Sequence, residues 1–186
     1  MKDALGIFLL KWRIAKVLPH ISGKLLDIGC GTNDLVKAYQ GEGVGVDVHD
    51  WGNVDIVVED TSNLPFQSDE FDTVTIIAAL NHIPNRNEVL IEIKRVLKDD
   101  GKLILTMIPP TISTIWHRLR KPWDVDQTER GMKDGEVYGL SKQEIHTLLN
   151  QCGFEVSHEQ RFMLGINLLT IAHKKTSEVY ETSEVC

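Results

Sequence analysis

Apolar runs alternate along the chain with segments of helical period. Lys24–Ile28 (KLLDI), Val44–Val48 (VGVDV), Val54–Glu59 (VDIVVE), Asp72–Ala79 (DTVTIIAA) and Lys102–Ile108 (KLILTMI) are short, nearly continuous and rich in β-branched residues. Such runs suit strands covered on both faces, as in parallel sheets. Gly29-Cys30-Gly31 breaks the first, and Pro109-Pro110 ends the fifth. Glu155–Phe162 and Asn167–His173 read as two further strands, with Gly165 between them as a hairpin signal. The intervening segments have helical punctuation. Asn33–Gln40 predicts a short helix. Asn85 with Glu88 resembles a capping pair, followed by Val89, Leu90, Ile93, Val96 and Leu97 on one face and Gly101 as a stop. Ser141-x-x-Glu144 is a capping box, with Ile145, Leu148 and Leu149 inward and Gly153 at the end. Asp3–Leu18 predicts a helix with two apolar strips: Leu5, Phe8, Leu9 and Trp12, then Leu10, Ile14, Val17 and Leu18.

Strands alternating with helices predict a doubly wound α/β sheet of seven strands, mostly parallel, with an antiparallel C-terminal hairpin at one edge. One connection is irregular. Only about six residues separate the second and third strands, where a parallel crossover normally takes a dozen or more. A loop through His49–Asn53 is expected in place of a helix. The 186 residues suit a single domain over 1–175, and the polar stretch 176–186 reads as a flexible tail.

Composition narrows the function classes. The formal net charge of −7 argues against a nucleic-acid partner, which would need a basic footprint. Cys30, Cys152 and Cys186 are odd in number and lack C-x-x-C spacing, so neither a disulfide framework nor a metal site is expected. That cysteine usage and the absence of a long apolar run or a signal peptide predict a cytoplasmic protein with no integral membrane segment.

The most informative stretch is Leu26-Asp27-Ile28-Gly29-Cys30-Gly31-Thr32-Asn33-Asp34, a strand that ends in G-x-G and opens a helix. A dinucleotide fingerprint requires glycine where Asp34 stands. Carboxylates at Asp27 and Asp34 would repel a phosphate and attract a ligand with a cationic end. S-adenosylmethionine (SAM), with its ammonium and sulfonium, is such a ligand.

These residues resemble the first motif of class I SAM-dependent methyltransferases, the small single-domain kind similar to methyltransferase type 11. Gly45-Val46-Asp47, Asp60-Thr61-Ser62-Asn63-Leu64-Pro65-Phe66, Phe71-Asp72-Thr73-Val74 with Ala79-Leu80-Asn81-His82-Ile83-Pro84, and Glu92-x-x-Arg95 through Gly101 follow in the family's order. The resemblance implies a Rossmann-like fold and methyl transfer from SAM, with S-adenosylhomocysteine as product. It implies that Gly29 and Gly31 shape the loop against the methionine part, and that Asp27 sits near its amino end. Asp47 would accept from the ribose hydroxyls, and Val48 or His49 would line the adenine. Asp60 and the Thr61 N–H would meet the base, and the Ala78 carbonyl the ammonium. Asp60 has a second reading as a cap on its own turn. Asn33 stands where family members often carry glycine, and asparagine tolerates the left-handed conformation.

The acceptor is expected to be a small molecule or a glycan or lipid precursor, with oxygen, nitrogen and carbon targets all open. His82 is the candidate catalytic base, against a structural role opening the next helix. The 111–139 stretch reads as a lid or acceptor pocket, with Trp116, Arg118, Arg120 and Trp123 as candidate substrate contacts, against a surface insertion. The N-terminal helix (1–20) reads as a cover over the cofactor, against a peripheral contact with a membrane surface. The alternative function is a non-catalytic SAM-binding module that regulates or scaffolds a partner. The sequence leaves the oligomeric state open.

Overall fold

The computed structural model of the chain describes residues 4–110 and 135–175. The strands are β1 (Leu25–Ile28), β2 (Gly43–Asp47), β3 (Ile56–Val57), β4 (Phe71–Ile77), β5 (Leu97–Met107), β6 (Phe154–Phe162) and β7 (Asn167–Lys174). They form one sheet of seven strands in the order β3-β2-β1-β4-β5-β7-β6. The pairs from β3 to β5 are parallel. β7 runs antiparallel to both β5 and β6. The mostly parallel sheet and its antiparallel edge are therefore as the sequence predicts.

Alternation along the strands divides the core between two faces. Val74 and Ile76 of β4 and Leu103 and Leu105 of β5 pack under α3 (Arg86–Val96) and α4 (Lys142–Gln151), against Val89, Leu90, Ile93, Ile145 and Leu149. On the other face Leu25, Ile104, Leu169 and Ile171 meet Ile14 and Val17 of α1 (Ala4–Val17) and Leu35 of α2 (Asp34–Ala38). Each side chain fully buried this way stabilises the fold by about 1.5–3 kcal/mol.

The chain runs outward from β1 to β2 to β3, then returns to place β4 on the other flank of β1. This reversal opens a crevice beyond the carboxyl ends of β1 and β4, where ligands of open α/β sheets bind. No helix lies between β2 and β3; residues 48–55 join them directly. Asn33, left-handed at φ 62°, stands in for it. Its amide nitrogen donates to the Asn53 carbonyl (3.1 Å) and the Asp55 carboxylate (2.8 Å). Asp55 also accepts from the Gly45 N–H at 2.8 Å. A β-carbon at Gly45 would lie 2.1 Å from Asn33 Oδ1, so only glycine admits the clamp.

Two expectations are corrected. α3 ends at Val96, and Leu97 is already extended against Phe71, so Gly101 lies inside β5 rather than at a helix stop. Strand pairing overrides the glycine because Val96 and Leu97 are both fully buried. Asn85 occupies the N-cap of α3, but its side chain makes no capping hydrogen bond. It donates instead to both oxygens of Asp60 at 3.0 Å. The capping box at Ser141 and Glu144 is present in both directions. The Glu92–Arg95 pair has a visible task. Glu92 accepts from the Leu64 N–H (2.8 Å) and Arg95 donates to the Leu64 carbonyl (3.3 Å), which pins the β3–β4 connection to α3.

Candidate functional site

A cavity of about 570 Å³ opens beyond the ends of β1, β2 and β4. Its floor is the glycine turn. Gly29 is left-handed at φ 68°, and a β-carbon there would meet Ala79 at 2.7 Å. Gly31, at φ 54°, would point a β-carbon into open space, so its missing side chain lets a ligand reach the backbone. Ala78 leaves β4 with φ 54°, a conformation costly for a residue with a β-carbon. Such strain gathers at sites where surrounding structure enforces it.

The charge of the cavity is one-sided. Asp27, Asp34 and Asp47 line it, with no lysine or arginine among the described lining residues. Asp47 accepts from the Gly31 N–H (2.9 Å) and the His49 N–H (3.1 Å). A carboxylate has about four acceptor positions, so two remain for ligand hydroxyls. Asp27 is buried, and this burial pushes its carboxyl up to about 7, with the Asp47 charge adding to the rise. The Thr75 hydroxyl donates to it at 2.6 Å and opposes the shift. The same burial and acids push the Cys30 thiol up to about 12, which makes it a poor nucleophile. An acid-walled cavity with an open glycine backbone fits a cationic, phosphate-free cofactor such as SAM.

Of the residues singled out in the sequence, Asp27, Gly29, Gly31, Asp47, Val48, Thr61, Ala78 and His82 all line the cavity. His49 and Asp60 do not. His49 packs edge-on against Trp51, with ring centroids 4.5 Å apart. Asp60 takes the Ser62 N–H at 2.8 Å and the Asn85 amide, the arrangement of a turn cap. Trp116, Arg118, Arg120 and Trp123 lie outside the described residues, as does the tail.

Trp51 and Glu136 escaped sequence reasoning, and for the helix read as a cover the sequence did not single out the residues that reach the cavity. Trp51 lines the cavity from the loop that replaces the second crossover helix. A tryptophan inside so short a connection was the available signal. Gly6, Ile7, Leu10 and Ile14 bring one face of α1 onto the cavity, joined by Ile77 and Ile83 to give an apolar upper wall. Glu136, also buried, sets its Oε2 3.5 Å from His82 Nδ1. No sequence signal links these two residues, which lie 54 positions apart.

Comparison with known proteins agrees with this geometry. A methyltransferase-domain family profile matches residues 26–105, from β1 through most of β5. The chain is 28% identical to demethylmenaquinone methyltransferase of Staphylococcus saprophyticus, over 87% of its length and 83% of the relative's. It is 30% identical to the ubiquinone/menaquinone biosynthesis C-methyltransferase UbiE of Burkholderia mallei, over 87% of its own length and 79% of the relative's. In fold it is similar to 1,6-didemethyltoxoflavin-N1-methyltransferase of Burkholderia thailandensis, solved with S-adenosylhomocysteine bound. That likeness has a TM-score of 0.65 at 18% identity, over 90% of this chain and 78% of the other. The acid-walled crevice, the glycine turn and these relatives converge: the chain belongs to the class I SAM-dependent methyltransferases.

Proposed function

We propose that the protein methylates a ring carbon of a reduced, quinone-like small molecule. The observation that carries this reading is the pairing of an acidic cofactor floor with an apolar upper wall of Ile7, Leu10, Ile14, Ile77 and Ile83. A flat apolar acceptor suits that wall, and the relatives are named as a demethylmenaquinone methyltransferase and a ubiquinone/menaquinone biosynthesis C-methyltransferase.

In this reading SAM supplies an electrophilic methyl group and leaves as a neutral thioether. The chain's own residues bind and orient. Gly29 and Gly31 hold the methionine part, Asp27 and the Ala78 carbonyl take the ammonium, and Asp47 receives the ribose hydroxyls. Val48, the Thr61 N–H and Trp51 border the base. Holding acceptor and methyl in line can supply about 7–11 kcal/mol of the barrier. His82 takes the proton of the acceptor hydroxyl, which pushes electron density into the ring carbon that attacks. The methyl–sulfur bond breaks as the carbon–carbon bond forms, and the ring C–H proton then leaves to solvent while the oxygen regains a proton and the ring its aromaticity. The exposed side of α1 adds a partner to the reading. Phe8 and Trp12 project from it beside Lys11, and the helix carries no acid. We assign this face to an anionic bilayer that would hold an apolar acceptor.

The test is transfer of labelled methyl from SAM to reduced demethylmenaquinone. Product methylated on carbon is expected. Turnover of oxygen or nitrogen acceptors, with none of the quinol, would overturn the acceptor class and leave the SAM chemistry standing.

A further inference from the structure

We infer that Glu136 is the positioning residue of the His82 base: its carboxylate holds the Nδ1–H and leaves Nε2 to receive the acceptor's proton. This rests on the reading of His82 proposed above.

Glu136 is brought to His82 by a clasp rather than by sequence proximity. The Val137 N–H donates to the Asn81 carbonyl at 3.0 Å, and the Asn81 amide returns a bond to the Val137 carbonyl at 3.2 Å. Arg86 Nη2 donates to the Gly135 carbonyl at 2.8 Å. The residues on both sides of Glu136 are thereby fixed to the segment that carries His82. Arg86 fixes that segment as well, donating through Nε to the Leu80 carbonyl and through Nη2 to the Asn81 carbonyl, each at 3.1 Å. One guanidinium fork therefore sets the separation of base and carboxylate. Its own charge also lies within the field of Glu136, so the buried carboxylate is not an isolated anion.

The chemistry follows from donor and acceptor inventory. Neutral imidazole has one N–H and one lone pair, and a carboxylate only accepts. Glu136 at 3.5 Å from Nδ1 selects the tautomer that carries its hydrogen there. Nε2, the far nitrogen of a ring that lines the cavity, keeps the lone pair. When the acceptor's O–H bond breaks and an N–H bond forms at Nε2, the imidazolium faces a fixed negative charge. A contact of this length is expected to tighten once acceptor is bound.

A carboxylate that merely stapled the segment would leave the imidazole tautomer to chance, and that difference is measurable. Long-range ¹H–¹⁵N correlation of histidine-labelled protein, saturated with S-adenosylhomocysteine at alkaline pH, reads the tautomer of His82. The Nδ1–H form is expected in the wild type, with mixed tautomers in Glu136→Leu. Glu136→Gln, nearly isosteric, is expected to lower kcat with reduced demethylmenaquinone by about 10–100-fold, with KM for SAM unchanged. An unaltered tautomer in Glu136→Leu, or unaltered kcat in Glu136→Gln, overturns the inference. Should Glu136→Leu fail to fold, the tautomer is read in Glu136→Ala, which also lacks an acceptor, and a wild-type signal there has the same force. If His82→Gln turns over like wild type, the base reading itself falls, and the tautomer still reports whether Glu136 holds the ring.

Discussion

Asp27 is a carboxylate with nowhere to put its charge until a cation arrives. Burial pushes its carboxyl up to about 7 in the folded protein, against 3.8 for an ordinary aspartate. Between those values the folded state holds a proton that the unfolded state has lost. This group's contribution to stability is therefore lost as pH rises through that window. A bound ammonium favours the ionised form and reverses the preference. SAM binding at about pH 6 is expected to expel a proton, and affinity is expected to weaken as pH falls below 7. Calorimetry in two buffers of different ionisation enthalpy counts that proton, and Asp27→Asn should release none. Equal proton counts for the two proteins would refute the coupling. Asp27, Asp47 and the two glycines were legible because local motifs carry them: strand, turn and strand-end acid at fixed spacing. Glu136 was not, since its approach to His82 depends on backbone pairing with Asn81, which no local pattern encodes. Asp60 shows the converse. Its residue type was read both toward the cofactor and as a turn cap, and its oxygens accept from Ser62 and Asn85, as a cap does.

The element that differs most from expectation about parallel sheets is the connection from β2 to β3. Its shortness was legible by counting residues. What closes it was not. Asn33 was read only for tolerance of a left-handed turn, whereas its amide reaches across to Asn53 and Asp55. The reach depends on Gly45 lacking a side chain on the neighbouring strand, a coincidence of register. Asn33→Ala keeps the unfavourable φ and loses both bonds, at an expected cost of about 2–4 kcal/mol. Asn33→Gly loses the bonds but relaxes the backbone by about 1 kcal/mol, so it should be the milder variant. Urea unfolding orders the two against wild type: an Asn33→Gly protein as stable as wild type would mean that the clamp contributes nothing, and equal stabilities of the two variants would mean that the left-handed turn is unstrained. The α3–β5 boundary teaches a similar lesson. Gly101 carried a stop signal, yet the helix ended where Leu97 found Phe71 across the sheet.

Across the whole molecule, charge is unevenly shared. The chain sums to −7, while Ala4–Val17 holds Lys11, Arg13 and Lys16 without an acid. Among the described residues no helix is long and apolar enough to cross a membrane. Phe8 and Trp12, 57% and 40% exposed, stack edge-on at 5.7 Å. The 186-residue chain is expected to sediment with phosphatidylglycerol vesicles, less with phosphatidylcholine, and less again in added salt. A Phe8→Ser, Trp12→Ser variant should stay in the supernatant, and sedimentation equal to wild type would remove the bilayer as partner. The sequence made the sheet and its edge hairpin legible at this scale, because strand runs and punctuation are local. It left open whether α1 faced the cavity or the outside, and the structure gives that helix one face for each. Trp51 carries a consequence of a different kind. An indole in the cavity wall, edge-on to an imidazole, is an emitter whose surroundings change when the cavity fills. The loop that replaced a helix has thereby given the protein a native optical gauge of its own occupancy, requiring no label.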